Sequence, residues 1–115
     1  MTAAPSPTTG SRDEVLANLH AIRERLDRAC DRARRDPGEV RIVAAAKSVP
    51  PEAVRWVVEG GVRDVGENYV GELRAAVPEV PNARWHFIGT LQTNSAHHVA
   101  VHADVVQTLA SPRSA

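Results

Sequence analysis

The chain is poor in the features that would mark several common classes of protein. It has one cysteine, Cys30, among 115 residues, so no internal disulfide can form and a reducing cytoplasm is the expected compartment. Neither sign of charge is in excess, with 14 Lys and Arg against 14 Asp and Glu. Nothing in that balance argues for a nucleic-acid or anionic-membrane partner. No apolar run approaches the ~20 residues of a membrane span. Met1-Thr2-Ala3-Ala4-Pro5 offers neither a basic n-region nor an apolar h-region, so no signal peptide is expected. No G-x-S-x-G elbow, phosphate-binding P-loop or G-x-G-x-x-G is present, which leaves acyl-transfer and nucleotide readings unsupported. The length suits one modest domain and falls well short of a complete eight-unit α/β barrel at ~250 residues.

What is present is an ordered alternation. Residues 1–10 are mostly Thr, Ala, Pro, Ser and Gly and read as a disordered tail. Ser11-Arg12-Asp13-Glu14 has the capping-box spacing, with Ser11 as N-cap and Glu14 reaching back. Val15, Leu16, Leu19, Ile22, Leu26, Ala29, Cys30 and Ala33 come after it at helical spacing, predicting an amphipathic helix over 11–36 that Pro37-Gly38 ends. Its Leu16, Leu19, Ile22 and Leu26 stripe should pack against the sheet or across its base. Its Arg23, Glu24, Asp27, Arg28, Asp31 and Arg35 face reads as solvated. Strands are expected at about 40–46, 63–66, 84–89 and 104–109, with helices at about 51–60, 69–77 and 93–102 between them. Strands alternating with helices indicate βαβ units and a parallel sheet. The chain stops at Ser111-Pro112-Arg113-Ser114-Ala115, where a fourth crossover helix should begin.

Ligands of such sheets gather at the C-terminal ends of the strands. Lys47 is the first candidate there. It comes directly after the apolar run Val40 to Ala46, and Ser48, Pro50 and Pro51 stop the strand at once. A partly buried amine in that position suits Schiff-base chemistry with a carbonyl ligand, whereas a lysine merely snorkelling into water is the plainer reading. The second strand delivers Gly66-Glu67-Asn68-Tyr69 to the same rim. The third delivers His86 through Gly89, the loop after it Leu91-Gln92-Thr93-Asn94, and the fourth Thr108. Asn68 could instead cap the helix after it, and Glu67 could sit in a first helical turn. Trp85 and His86 alternate along a strand, so one should face the helices and the other the opposite side. His98 and His102 would share a helix face, with His97 pointing elsewhere, but no cysteine or carboxylate is spaced to complete a metal site, and none is predicted.

These blocks together resemble a known family. Ala45-Ala46-Lys47 after an apolar strand, then Val65-Gly66-Glu67-Asn68-Tyr69-Val70, then Trp85-His86-Phe87-Ile88-Gly89-Thr90-Leu91-Gln92-Thr93-Asn94, are similar to the pyridoxal phosphate homeostasis proteins in order and spacing. The resemblance spans residues 11 to about 110. It implies an α/β fold of the (β/α)₈ TIM-barrel type, like the N-terminal domain of alanine racemases, of which residues 11–115 would form the N-terminal half. It implies pyridoxal 5′-phosphate as cofactor, held as an aldimine on Lys47, with Asn68 and His86 in the pocket and no catalytic turnover of its own. Two departures stand out. Ser95-Ala96-His97 replaces the family's Lys-x-Arg, removing two positive charges near the rim. The family's second half, with its Ser-Met-Gly-Met motif and phosphate-gripping Gly-Ser-Thr-x-Val-Arg, is not in this chain.

Two other readings compete: a truncated fragment that no longer holds the cofactor stably, and a racemase-like enzyme using it. Half a barrel would expose an inner face expected to comprise Ile42, Ala44, Ala46, Val65 and Ile88. Self-association, or pairing with a separate second half, is the expected response.

Overall fold

The computed structural model describes residues 10–108. The expected tail lies outside them apart from Gly10, as does the chain end from Leu109, where a further helix is expected. Helix α1 (Arg12–Arg32) starts as its sequence predicts. The Glu14 N–H donates to Ser11 Oγ at 3.2 Å, and the Ser11 N–H donates to the Glu14 carboxylate at 3.4 Å. It ends earlier than expected. Arg34 takes a left-handed conformation with φ of 56°, the Arg35 N–H donates to the Cys30 carbonyl and the Arg34 N–H to that of Asp31. That Schellman geometry satisfies the last carbonyls before Pro37 is reached. Pro37 and Gly38 then form a short 3₁₀ turn in which Asp36 caps the Gly38 N–H.

From there the chain alternates as β1 (Val43–Ala45), α2 (Pro51–Glu59), β2 (Asp64–Glu67), α3 (Val70–Ala76), β3 (Arg84–Phe87), α4 (Ala96–His102) and β4 (Val105–Val106). The four strands form one parallel sheet in the order β1-β2-β3-β4. Proline at the first position of α2 needs no intrahelical N–H bond, which explains a helix that begins so soon after β1.

Strand register assigns the side chains to two faces. Val65 and Trp85 pair across β2 and β3, and with Ala46 and Phe87 they pack on Val54 of α2, Leu73 and Ala76 of α3 and Val99 of α4. The other face carries Val43, Asp64 and Arg84 in one layer and Ala45, Gly66, His86 and Val105 in the next. Trp85 therefore faces the helices and His86 the opposite side.

This register corrects the expected inner face. Ala46 and Val65 belong to the helix-side core, and Ala44, the register partner of Val65, shares that face, because one residue of parity moves every side chain across the sheet. Ile88 does lie on the open face, where it covers Gly66: a Cβ there would approach Ile88 Cδ1 to 2.8 Å. The packing of α1 also differs in part. Leu16 and Leu19 close on Gly60 at the end of α2, and Leu26 reaches the base of the sheet near Val40, Ile42 and Val62. Ile22 is half exposed. An Arg12–Glu59 ion pair at 2.9 Å joins α1 to α2. None of the described helices is long and apolar enough to cross a membrane.

Candidate functional site

The C-terminal ends of β1 and β2 bring Lys47, Asn68 and Tyr69 to one rim. The β1 ladder ends where the Ala46 N–H donates to the Gly66 carbonyl at 2.8 Å, and Lys47 is the next residue. Its side chain is exposed, contrary to the expected partial burial. Its Nζ lies 5.9 Å from the centroid of the Tyr69 ring, within reach of the ring's π face.

Asn68 comes directly after β2 and is half-buried. It is not the cap of α3: Tyr69 occupies that position, without a side-chain capping bond. The backbone of Asn68 is instead set by Gly89, in the loop after β3. A Cβ on Gly89 would lie 1.9 Å from the Asn68 carbonyl oxygen, so the two loops touch main chain to main chain. The Thr108 hydroxyl donates to the Gly89 carbonyl and ties the chain after β4 into the same contact.

His86 sits deeper, level with Gly66, and is buried. Its Nε2 is 2.8 Å from Asp64 Oδ1 and its Nδ1 is 3.0 Å from Gln107 Nε2. With Asp64 accepting at Nε2–H, Nδ1 accepts from the Gln107 amide, so both ring nitrogens are spent inside the protein. Asp64 starts β2, which draws the ring toward the end of the sheet opposite Lys47. His86 can offer a ligand the face of its ring but no free nitrogen. Arg41 and Arg84 flank the same carboxylate at 3.7 and 3.8 Å.

Two partners escaped the sequence reading, Asp64 and Gln107; Asp64 was legible in principle, since Asp64 and His86 have matching parity on adjacent strands. Glu67, expected at the rim or in a helical first turn, ends β2 and is only 2% exposed. Burial first, then the charge and hydrogen bond of Glu72, raise its carboxyl to about 8. The histidines of α4 behave as a local group. His102 Nδ1 bonds the His98 carbonyl at 2.8 Å, and the His97 ring, expected to point elsewhere, lies 3.8 Å from that of His98.

A parallel α/β sheet with an amine, an amide and a phenol at its C-terminal rim describes a class of small-ligand binding folds. Comparison narrows it. No protein-family model matches the chain. It is 33% identical over 102 residues to the pyridoxal phosphate homeostasis protein of Escherichia coli K12, covering 84% of this chain and 44% of that protein. The protein of the same name from Haemophilus influenzae is 35% identical over 99 residues, covering 83% and 42%. Among solved structures, a protein of unknown function from Bifidobacterium adolescentis superposes with a TM-score of 0.79 at 24% identity, covering 87% of this chain and 46% of that one. PipY of Synechococcus elongatus, solved with pyridoxal phosphate bound, matches with a TM-score of 0.63 at 29% identity over 77% and 43%.

Over most of its length the chain is similar in sequence to the pyridoxal phosphate homeostasis proteins. It spans less than half the length of these relatives.

Proposed function

We propose that this chain is a pyridoxal 5′-phosphate-binding module of the cytoplasm that holds the cofactor covalently through the Lys47 amine, with Asn68 beside it, and serves cofactor homeostasis without turnover. The observation that carries this reading is the placement of Lys47. An exposed amine directly after the first strand of a sequential parallel sheet, with Tyr69 alongside, can be reached by an aldehyde. When bound, the cofactor supplies that aldehyde and an aromatic ring. The amine, the Asn68 amide and the Tyr69 phenol fit that end of the molecule. Its phosphate dianion needs backbone N–H groups or arginines, and we assign those to the part of the relatives that this chain does not match. His86, clamped by Asp64 and Gln107, is read as a wall of the pocket rather than a polar contact. A holding role also fits Glu67, whose buried carboxyl is raised to about 8 and so is a poor proton acceptor near neutrality.

Incubation with pyridoxal phosphate, borohydride reduction and peptide mapping test the assignment. Lys47 should carry the pyridoxyl group, and Lys47→Ala should lower total labelling at least about tenfold, or about 1.4 kcal/mol in apparent affinity. Lys47 is the only lysine of the chain, so equal labelling of the variant would put the adduct on the N-terminal amine and overturn the assignment.

We further infer that the sheet is the first half of a (β/α)₈ barrel. Within the described residues β1 and β4 each pair on one side only, so each leaves an edge of free N–H and C=O groups. The isolated 115-residue chain should therefore self-associate. Co-expression with a segment matching the remainder of the relatives should restore a defined particle and tighten cofactor retention together. Sedimentation of the chain alone as a monodisperse monomer would count against the half-barrel.

A further inference from the structure

We propose that Glu67 and Glu72 form a shared-proton carboxyl pair that pins the Lys47 loop through the Ser48 backbone N–H, making both of them positioning residues for the amine. The consequence for Lys47 rests on the reading of that amine given above, whereas the pin itself does not.

Glu67 points to the helix side of the sheet, where Phe87 is its register partner on β3 and Ala46 lies alongside on β1. Neither can solvate a carboxylate, and an unpaired charge so buried would be costly. Its Oε1 has no hydrogen-bond partner. Glu72, in the first turn of α3, supplies the one polar neighbour that acts on it. A protonated Glu67 can donate to the Glu72 carboxylate, and the arrangement then carries a single negative charge. That charge has a use. Glu72 Oε2 accepts the Ser48 N–H at 3.5 Å, from 24 residues away in the chain.

Ser48 is held in a strained conformation. Its φ of 59° lies in the left-handed region, which costs a residue with a Cβ roughly 1–2 kcal/mol. The turn it forms is closed by the Val49 N–H on the Ala46 carbonyl at 3.0 Å and leads at once into α2. At 3.5 Å the carboxylate makes a long contact with the Ser48 N–H, and its charge favours the turn from which Lys47 leaves the sheet. Loss of the shared proton would place two carboxylates side by side and push Glu72 away from Ser48. The other groups packed around Glu67 do not oppose this: Ala46 and Phe87 are uncharged, Glu52 at the start of α2 is exposed, and the Lys47 amine lies out over Tyr69.

Hydrogen exchange resolved to the Ser48 amide, corrected for the intrinsic pH dependence, tests the pin on the whole chain. Protection at Ser48 should fall about tenfold as pH rises through about 8. Glu67→Gln keeps a donor toward Glu72 at every pH, so its Ser48 protection should stay level. Glu72→Gln, at a half-buried position, removes the anionic acceptor and should lose protection at both ends of the range. Ser48 protection that is flat with pH in the native chain, or unmoved by Glu72→Gln, would overturn the pin. The rate of borohydride-trapped labelling at Lys47 provides the second readout and should drop about threefold in Glu72→Gln. If Ser48 responds and that rate does not, the positioning claim is overturned. If Lys47 fails to label even in the native chain, the cofactor reading fails, while Ser48 protection still decides the pin.

Discussion

Gly89→Ala is expected to be among the most damaging single-methyl additions in this chain, lowering stability by about 3 kcal/mol or more. The cause is a close approach of main chain to main chain. The added Cβ would lie 1.9 Å from the Asn68 carbonyl oxygen and 2.7 Å from its carbonyl carbon. A flexible side chain could swing away, but a backbone carbonyl between β2 and α3 cannot move without disrupting the first turn of that helix. The Ile88 N–H also donates to the Glu67 carbonyl at 2.9 Å, so both loops are held by the sheet on their approach to the contact. Relief would therefore have to come from displacing Asn68 and Tyr69, two of the rim residues. Gly71→Ala is the matched control. Nothing lies within 4 Å of its added Cβ, and it sits in α3, where alanine is the better helix former by about 1 kcal/mol. Denaturant midpoints should move in opposite directions for the two variants. A Gly89→Ala protein with the native midpoint would mean that the loops are not locked together.

That contact also shows where sequence reading reached its limit. The order of elements was legible because each transition carries its own chemistry: Ser11 and Glu14 open α1, Pro51 opens α2, and apolar runs mark the strands. Lys47 stood out for the same reason, since a lone amine after an apolar run has few places to go except a strand end. The outcome that parity decides was less legible. Assigning Val65 to one face or the other turns on a single residue of register, and register is set between strands rather than within one. His86 illustrates the consequence. Its type and position suggested a pocket residue, but Asp64 on β2, 22 residues before it, and Gln107 just after β4, 21 residues after it, occupy both of its nitrogens. Glu67 was read as a rim carboxylate with a helix start as its alternative, and only the length of β2 and its burial reveal it as a buried strand end.

The second large effect concerns that glutamate. Stability is expected to fall as pH rises from about 4.5 to about 8, and the Glu67→Gln variant should lack this slope. The folded chain raises the Glu67 carboxyl from 4.5 to about 8, chiefly by burial. Below the lower value the carboxyl is protonated in both folded and unfolded chains, so its contribution is at its most favourable. Between the two values the unfolded chain releases the proton while the folded chain keeps it. The unfolded state thus gains up to about 1.4 kcal/mol per pH unit over the folded one. Above about 8 both states are ionised and the contribution levels off, with a total of at most about 5 kcal/mol. Other titrating groups contribute to the native profile, so the difference between the native chain and Glu67→Gln at each pH isolates this one. Urea unfolding measured from about pH 5 to about pH 9 should show the variant gaining on the native chain step by step, by at most about 4 kcal/mol at the alkaline end. The gain should stop near 8, because the folded chain then ionises as well. Parallel profiles would mean that Glu67 is solvated in the folded chain. Its neighbours Ala46 and Phe87, themselves buried against α2, α3 and α4, offer the carboxylate no side-chain polar group in place of water.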